Sequence, residues 1–173
     1  MKTVRWAVLV FLLTALLSAC KGDGKVGASD YLLQNISVWN GAIRDFDDWN
    51  SGTKGEAFFA SIEERHGMKA IVSHMKNARG QVVGSLTTME AYPYPADAAD
   101  VHAKLLDLLK NVIAVYDVML KMDALPDGFS DAQIQPLQAE YDRLIDAFGH
   151  KADALDRAQQ AYADKHGISL GRG

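Results

Sequence analysis

Apolar residues recur along this chain at intervals of three and four, and no run alternates apolar with polar at the period of two that a half-buried strand needs. Leu32, Ile36, Trp39, Ile43 and Phe46 step by four and three and so share one helix face. Ser29 is placed to cap that helix, and Asn50-Ser51-Gly52 to end it. Thr53-Lys54-Gly55-Glu56 has the form of a capping box, with Thr53 as cap and Glu56 reaching back. Phe58, Phe59 and Ile62 follow, and then Arg65-His66-Gly67, which reads as a cationic helix end with glycine at C′. Met68, Ile71, Met75, Ala78, Val82, Leu86 and Met89 form the next stripe, nearly opposite in phase to the Phe pair. One straight helix could not bury both sets against a single core. The pattern therefore predicts a short helix near 54–66, a break at Gly67, and a long helix to about Glu90. The alternative is one continuous helix whose Phe58–Phe59 pair packs sideways onto Trp39 or Trp49.

Tyr92-Pro93-Tyr94-Pro95 stops the long helix, because each proline disfavours helix in the residue before it. A helix starting at Asp97 or Asp100 carries a ladder of Val101, Leu105, Leu108, Val112, Val115, Met119 and Met122. Leu125-Pro126-Asp127-Gly128 is a turn, and Ser130-x-x-Gln133 is a second capping box. Pro136 sits deep for that box, so the main helix is expected to begin at Pro136, where proline suits the first helical position. Leu137, Tyr141, Leu144, Phe148, Ala152, Leu155 and Tyr162 make the last stripe, closed by His166-Gly167. No internal repeat supports a solenoid. Four long amphipathic segments with short connections predict an all-α, antiparallel four-helix bundle over 29–167, with the extra short helix near 54–66 and a tail at 168–173.

The N-terminus has a different character. Met1-Lys2-Thr3-Val4-Arg5 is cationic, Trp6 to Leu17 is apolar, and Leu17-Ser18-Ala19 leads to Cys20, the chain's one cysteine. That layout describes a secretory signal. The apolar run is shorter than the roughly 20 residues a spanning helix needs. Small residues ending in a cysteine resemble a bacterial lipobox. The resemblance implies cleavage before Cys20, so that 1–19 is a signal peptide, with diacylglycerol on its sulfur and a third acyl chain on the new amine. One acyl chain holds only marginally, whereas two or three give a lasting anchor. Lys21, rather than aspartate, after the cysteine favours the outer membrane under the sorting rule of enteric bacteria. Lys21-Gly-Asp-Gly-Lys-Val-Gly-Ala28 reads as a polar, glycine-rich tether, making 20–28 a lipidated linker.

Charge and cysteine usage narrow the rest. The chain's net charge is −4, and losing the two cations Lys2 and Arg5 with the signal leaves −6. An acidic domain without a basic stripe argues against a nucleic-acid partner. It also makes the lipid anchor, not charge, the link to a membrane. Without a second cysteine there is no disulfide, so stability must come from packing.

Bundles often house metals or haem, but the required residues are missing. A di-iron site needs inward glutamates and two Glu-x-x-His motifs; the sequence has one, Glu63-x-x-His66, off the long stripes. Haem attachment through Cys-x-x-Cys-His is excluded. His66, Met68, His74 and Met75 would suit copper by softness, but one helix does not gather all four. There is no nucleophile elbow, His-Glu-x-x-His pair or phosphate-cradling loop. The ionisable groups fall outside the stripes, so no catalytic residue and no cofactor is expected. Two features fit partner binding: Tyr92 and Tyr94 on a rigid loop, and Gly80-x-x-x-Gly84, whose glycines flatten one side of a helix. Their structural alternatives are a plug for the bundle end and close contact between neighbouring helices. Arg79, at the stripe edge, is expected to snorkel or to pair with a carboxylate. The expected function is a lipid-anchored, periplasm-facing bundle that binds an envelope protein or acts structurally. The alternatives are an immunity-type inhibitor of an envelope-acting toxin and a bundle that binds a metal or other small ligand.

Overall fold

The structure, a computed structural model, describes residues 26–68 and 72–170. Within them lie five α-helices and one 3-10 turn, and no strand. We number them α1 (Ala28–Asn50), α2 (Thr53–Glu63), α3 (Val72–Ala91), α4 (Ala99–Asp123) and α5 (Asp131–His166), with the 3-10 turn at Ala96–Ala98. The fold is the expected all-α bundle: α1, α3, α4 and α5 are long and antiparallel in succession, and α2 is the extra short helix. The signal, Cys20 and the first part of the tether lie outside the described residues. Val26 and Ala28, at the tether's end, already pack against the core, and Ile168 and Leu170 of the tail do the same.

α4 is the centre. All seven residues of its ladder are at most 3% exposed. A second stripe, His102, Leu109 and Tyr116, is buried as well. Fully burying one such aliphatic side chain stabilises by about 1.5–3 kcal/mol. α5 and α3 flank α4 and α1 packs against all three. The buried positions of α1 are Tyr31, Leu32, Asn35, Ala42, Phe46 and Trp49, which places its core face one residue from the expected stripe. Ile36, Trp39 and Ile43 are only partly buried. The cause is that Tyr31 and Asn35, both polar, belong to the core. Phe46 meets Phe148 and Tyr116 with ring centroids 4.8 and 5.8 Å apart, and Phe59 meets Tyr141 at 5.2 Å.

Helix boundaries depart from the sequence reading in four places. α1 starts at Ala28 behind Gly27, so Ser29 lies inside the helix rather than capping it. α2 starts at Thr53, which is therefore not the cap; Asp48, from the end of α1, instead accepts the Lys54 amide at 3.5 Å and pairs with its ammonium at 2.8 Å. α2 ends in the expected motif, but Arg65, not Gly67, takes the left-handed conformation, with φ 59°. His66 N–H donates to Ser61 O and Arg65 N–H to Ile62 O, both at 3.0 Å, which is a Schellman closure. Left-handed backbone costs a non-glycine residue roughly 1–2 kcal/mol. Arg65 offsets it by donating to Phe129 O at 2.6 Å and Asp131 at 2.5 Å, while its own carbonyl accepts Gly128 N–H at 2.7 Å. Gly67 is needed for a different reason: a Cβ there would sit 2.6 Å from the Asp123 carbonyl oxygen. Met68 N–H donates to the Asp123 carboxylate at 2.7 Å. The break near Gly67 is thus a seam where the α2–α3 loop docks on the α4–α5 loop, which excludes one continuous helix.

The fourth departure is α5, which starts at Asp131 behind a formed Ser130–Gln133 capping box and runs through Pro136. Proline there leaves only the Ala132 carbonyl without its helical donor, and Ala132 is exposed, so water can take that role. The far end closes as expected, with Gly167 left-handed at φ 64° and Ile168 N–H donating to Ala163 O at 2.9 Å.

Leu108 is fully buried in α4. Leu108→Asp places an unpaired charge there, and we expect it to abolish cooperative melting by circular dichroism. A wild-type melting curve would contradict the helix phases described above.

Candidate functional site

One pole of the bundle gathers the start of α1, the end of α3, the 92–95 loop, the start of α4 and the end of α5. Its centre is a buried polar chain. Gln159 Nε2 donates to Asn35 Oδ1 at 2.8 Å, and Asn35 Nδ2 donates to Tyr31 Oη at 3.1 Å. Tyr31 Oη then lies 3.1 Å from His102 Nδ1. Donation by the Tyr31 hydroxyl to Nδ1, with His102 carrying its proton on Nε2, is the arrangement in which the phenol both accepts from Asn35 and donates. The chain ties α5 to α1 and α1 to α4. Asn35, Tyr31, His102 and Gln159 are all at most 6% exposed. Burial pushes the Tyr31 phenol up to about 12 and depresses His102 below its ordinary 6.5 by excluding water from the imidazolium.

Aromatic rings surround this chain. Tyr94 stacks on His102 with centroids 4.0 Å apart and planes at 20°. Tyr31 meets Tyr92, Tyr94 and Tyr162 at 6.2–6.5 Å. Tyr162 also contacts His166 at 4.5 Å. At the rim Asp97 accepts from Lys165 at 2.7 Å and from His166 at 3.0 Å. The Lys165 bond, with help from His166, holds the Asp97 carboxyl below its usual range. The Tyr162 hydroxyl is buried without a hydrogen-bond partner among the described residues, as are Tyr116 Oη and Asn111 Oδ1. An unpaired buried polar group costs about 1–3 kcal/mol.

The sequence-derived site residues separate into two places. Tyr92 is half-buried against Tyr31 and helps close the pole, while Tyr94 remains 44% exposed although its ring is stacked. Gly80 and Gly84 lie on the exposed side of α3, roughly three turns and two turns from Tyr92. A Cβ at either would meet nothing within 4 Å, so close contact between helices does not explain them. Arg79 pairs with Asp117 of α4 through Nε at 2.5 Å and Nη2 at 3.2 Å. Asp107, outside the ladder of α4, pairs with Lys151 of α5. His66 bonds Glu64 at 2.9 Å. Among the described residues no group of three or more His, Cys, Asp or Glu side chains could hold a metal ion, and no helix is long and apolar enough to cross a membrane.

The expectation that ionisable groups stay outside the buried stripes fails at His102, and with it at Tyr31. A signal for His102 existed: it precedes Leu109 and Tyr116 by one and two heptads and so shares their face. Asn35 and Gln159 carried no such mark, because isolated amides read as surface. No known protein family, curated protein or solved structure matches this chain.

The burial of His102 makes stability pH-dependent. Below about 6.5 the unfolded chain binds a proton that the folded protein rejects, so the contribution is complete above 6.5 and declines as pH falls through the lower folded value. The slope from one such group is at most about 1.4 kcal/mol per pH unit. We expect the Tm of the wild type to fall between pH 6.5 and 5 by more than that of His102→Gln, which keeps an acceptor for Tyr31 without titrating. Equal pH profiles would show that His102 is not held neutral by the fold.

Proposed function

We propose that this protein is a lipid-anchored component of a bacterial cell envelope, facing the periplasm from the outer membrane, whose bundle binds an envelope protein without catalysing a reaction. The observation that carries the proposal is Leu17-Ser18-Ala19-Cys20, with the chain's sole cysteine at the position a lipobox requires. The described helices support a packed domain that needs an anchor from elsewhere to reside at a membrane. The buried polar groups of the aromatic pole support a structural role, because four of them satisfy one another across three helices.

Tyr94 supports the binding part of the proposal. Its ring is exposed yet already fixed by stacking on His102, which Tyr31 holds in turn. Tyrosines so presented are frequent energetic anchors of interfaces, and prior immobilisation lowers the entropic cost of binding.

Cys20→Ser is expected to leave the precursor unprocessed or to release the protein from membranes, read by membrane fractionation and by loss of metabolic labelling with a fatty acid. Retention with undiminished labelling would exclude lipidation at Cys20. Crosslinking in native membranes followed by mass spectrometry should capture an envelope protein with the wild type. Tyr94→Ala should lower that capture by about tenfold, the effect of roughly 1.4 kcal/mol, with Tm little changed. A toxin as the captured species would replace the envelope partner by an immunity role.

A further inference from the structure

The outward stripe of α1 is built symmetrically about Ser37. Asp30, Leu33, Ser37, Gly41 and Arg44 lie within about 80° of one another on the helix at 100° per residue, and all five are exposed. Leu33, 60% exposed, is one of two large hydrophobic residues so exposed among the described residues. It borders a shallow open groove of about 550 Å³ that runs past Ile36, Ser37, Asn40 and Gly41 to Arg44. A Cβ at Gly41 would meet nothing within 4 Å, so the glycine leaves a hollow in this face. The two ionic residues of the stripe, Asp30 and Arg44, have opposite charge, and neither has an ion-pair partner among the described residues.

We infer that this face pairs with a second copy of itself, with two α1 helices antiparallel about a two-fold axis through Ser37. An isologous contact requires self-complementarity, so that if residue i meets residue j, then j meets i. The stripe meets that condition at each step. Leu33 and Gly41 lie four residues on either side of Ser37, so the leucine of each copy fills the hollow over the glycine of the other. Asp30 and Arg44 lie seven residues on either side, so each copy contributes one carboxylate and one guanidinium to two equivalent ion pairs. The small side chains at the centre permit axes about 9–9.5 Å apart, within the usual 8–10 Å separation. With a Cα radius of about 2.3 Å, the two Ser37 Cα atoms then lie roughly 4–5 Å apart, where a disulfide can form. A parallel pair would instead set Asp30 against Asp30 and Leu33 against Leu33, with like charges in contact and the hollow unfilled. One helix pair is smaller than a standard interface of about 1,200–2,000 Å², so the dimer is expected to be weak and reversible.

The full chain carrying Ser37→Cys, expressed in its native envelope and mildly oxidised, tests the pairing directly. Ser73→Cys, exposed on α3, reports random collision. A disulfide dimer from Ser37→Cys well above that from Ser73→Cys is the expected result. Adding Arg44→Asp should lower it by about tenfold, because each change acts twice across the axis and turns an attraction into a repulsion. Adding Asp30→Arg to Arg44→Asp should restore it, which a loss of folding would not allow. Equal crosslinking at the two positions, no dimer at Ser37→Cys, an adduct with a different protein, or a charge reversal that fails to restore the dimer would overturn the inference. The wild-type chain, oxidised in parallel, reports any dimer formed through an unacylated Cys20, and only dimer in excess of it counts for either variant.

Discussion

A helix buried on two adjacent faces has to be wrapped, and α4 is such a helix. Its ladder from Val101 to Met122 faces one way, and the His102–Leu109–Tyr116 stripe faces another. Neighbouring helices must therefore cover it from several sides, and α1, α3 and α5 do so. Without a disulfide within the bundle, that burial is what opposes chain entropy. The surface ion pairs add little. Arg79–Asp117, Lys110–Glu90 and Lys151–Asp107 each join α4 to a neighbour, but their side chains are about a third exposed or more, and such pairs contribute about 0–1 kcal/mol. Their geometric effect is larger than their energetic one, because they favour one rotation of α3 and α5 about α4.

The second stripe has a cost, since it draws polar atoms inside. At the aromatic pole the cost is offset by connection: an amide, an amide, a phenol and an imidazole form one chain in which donors meet acceptors. A network of this kind specifies alignment more than it stabilises, because sliding α1 by one turn against α5 would part Asn35 from Gln159. In the middle of the bundle the offset is partial. Asn111 donates to the Leu144 carbonyl at 3.3 Å while its own oxygen has no partner among the described residues, and neither has the Tyr116 hydroxyl, which lies beside the aspartates at the end of α1 that raise its pKa after burial does. The bundle is thus held in register at its poles, and its apolar ladder does not need to discriminate between registers.

Most of this architecture was legible in the sequence because it rests on periodicity. The α4 ladder, the α3 stripe and the break between α2 and α3 all follow from the spacing of large apolar residues. What escaped depends on residues whose local meaning differs from their tertiary one. Asn35 reads as surface, yet it is the link between Tyr31 and Gln159, and omitting it shifted the core face of α1 by one residue. Gly67 reads as a helix terminator, but its constraint is the Asp123 carbonyl from more than fifty residues away. Arg65 reads as a cation at a helix end, although its role is to hold a left-handed turn and reach across to α5. Pro136 reads as a first residue, but an exposed Ala132 carbonyl lets the helix pass through it. At the candidate site the tyrosines were visible and the histidine beneath them was not, because stacking and hydrogen bonding leave no periodic trace.

The placement of the poles bears on the proposed anchoring. α1 begins at the aromatic pole, where Tyr31 in its first turn contacts Tyr92, Tyr94, His102 and Tyr162. Only six peptide links separate Cys20 from Val26, a reach of about 20 Å at full extension. An acylated Cys20 would therefore keep the aromatic pole within that distance of the lipid surface. The seam of Arg65, Gly67, Asp123 and Asp131 would lie at the distal end. A partner engaging Tyr94 would then have to present its own surface close to the membrane, which fits a protein itself embedded or anchored there better than one diffusing freely. The outward stripe of α1 starts at this pole and runs away from it. Antiparallel pairing about Ser37 sets the two starts of α1 about 27 Å apart along the helix axes, nine residues at 1.5 Å on either side, so two copies anchored in one membrane would have to tilt α1 toward its plane to pair.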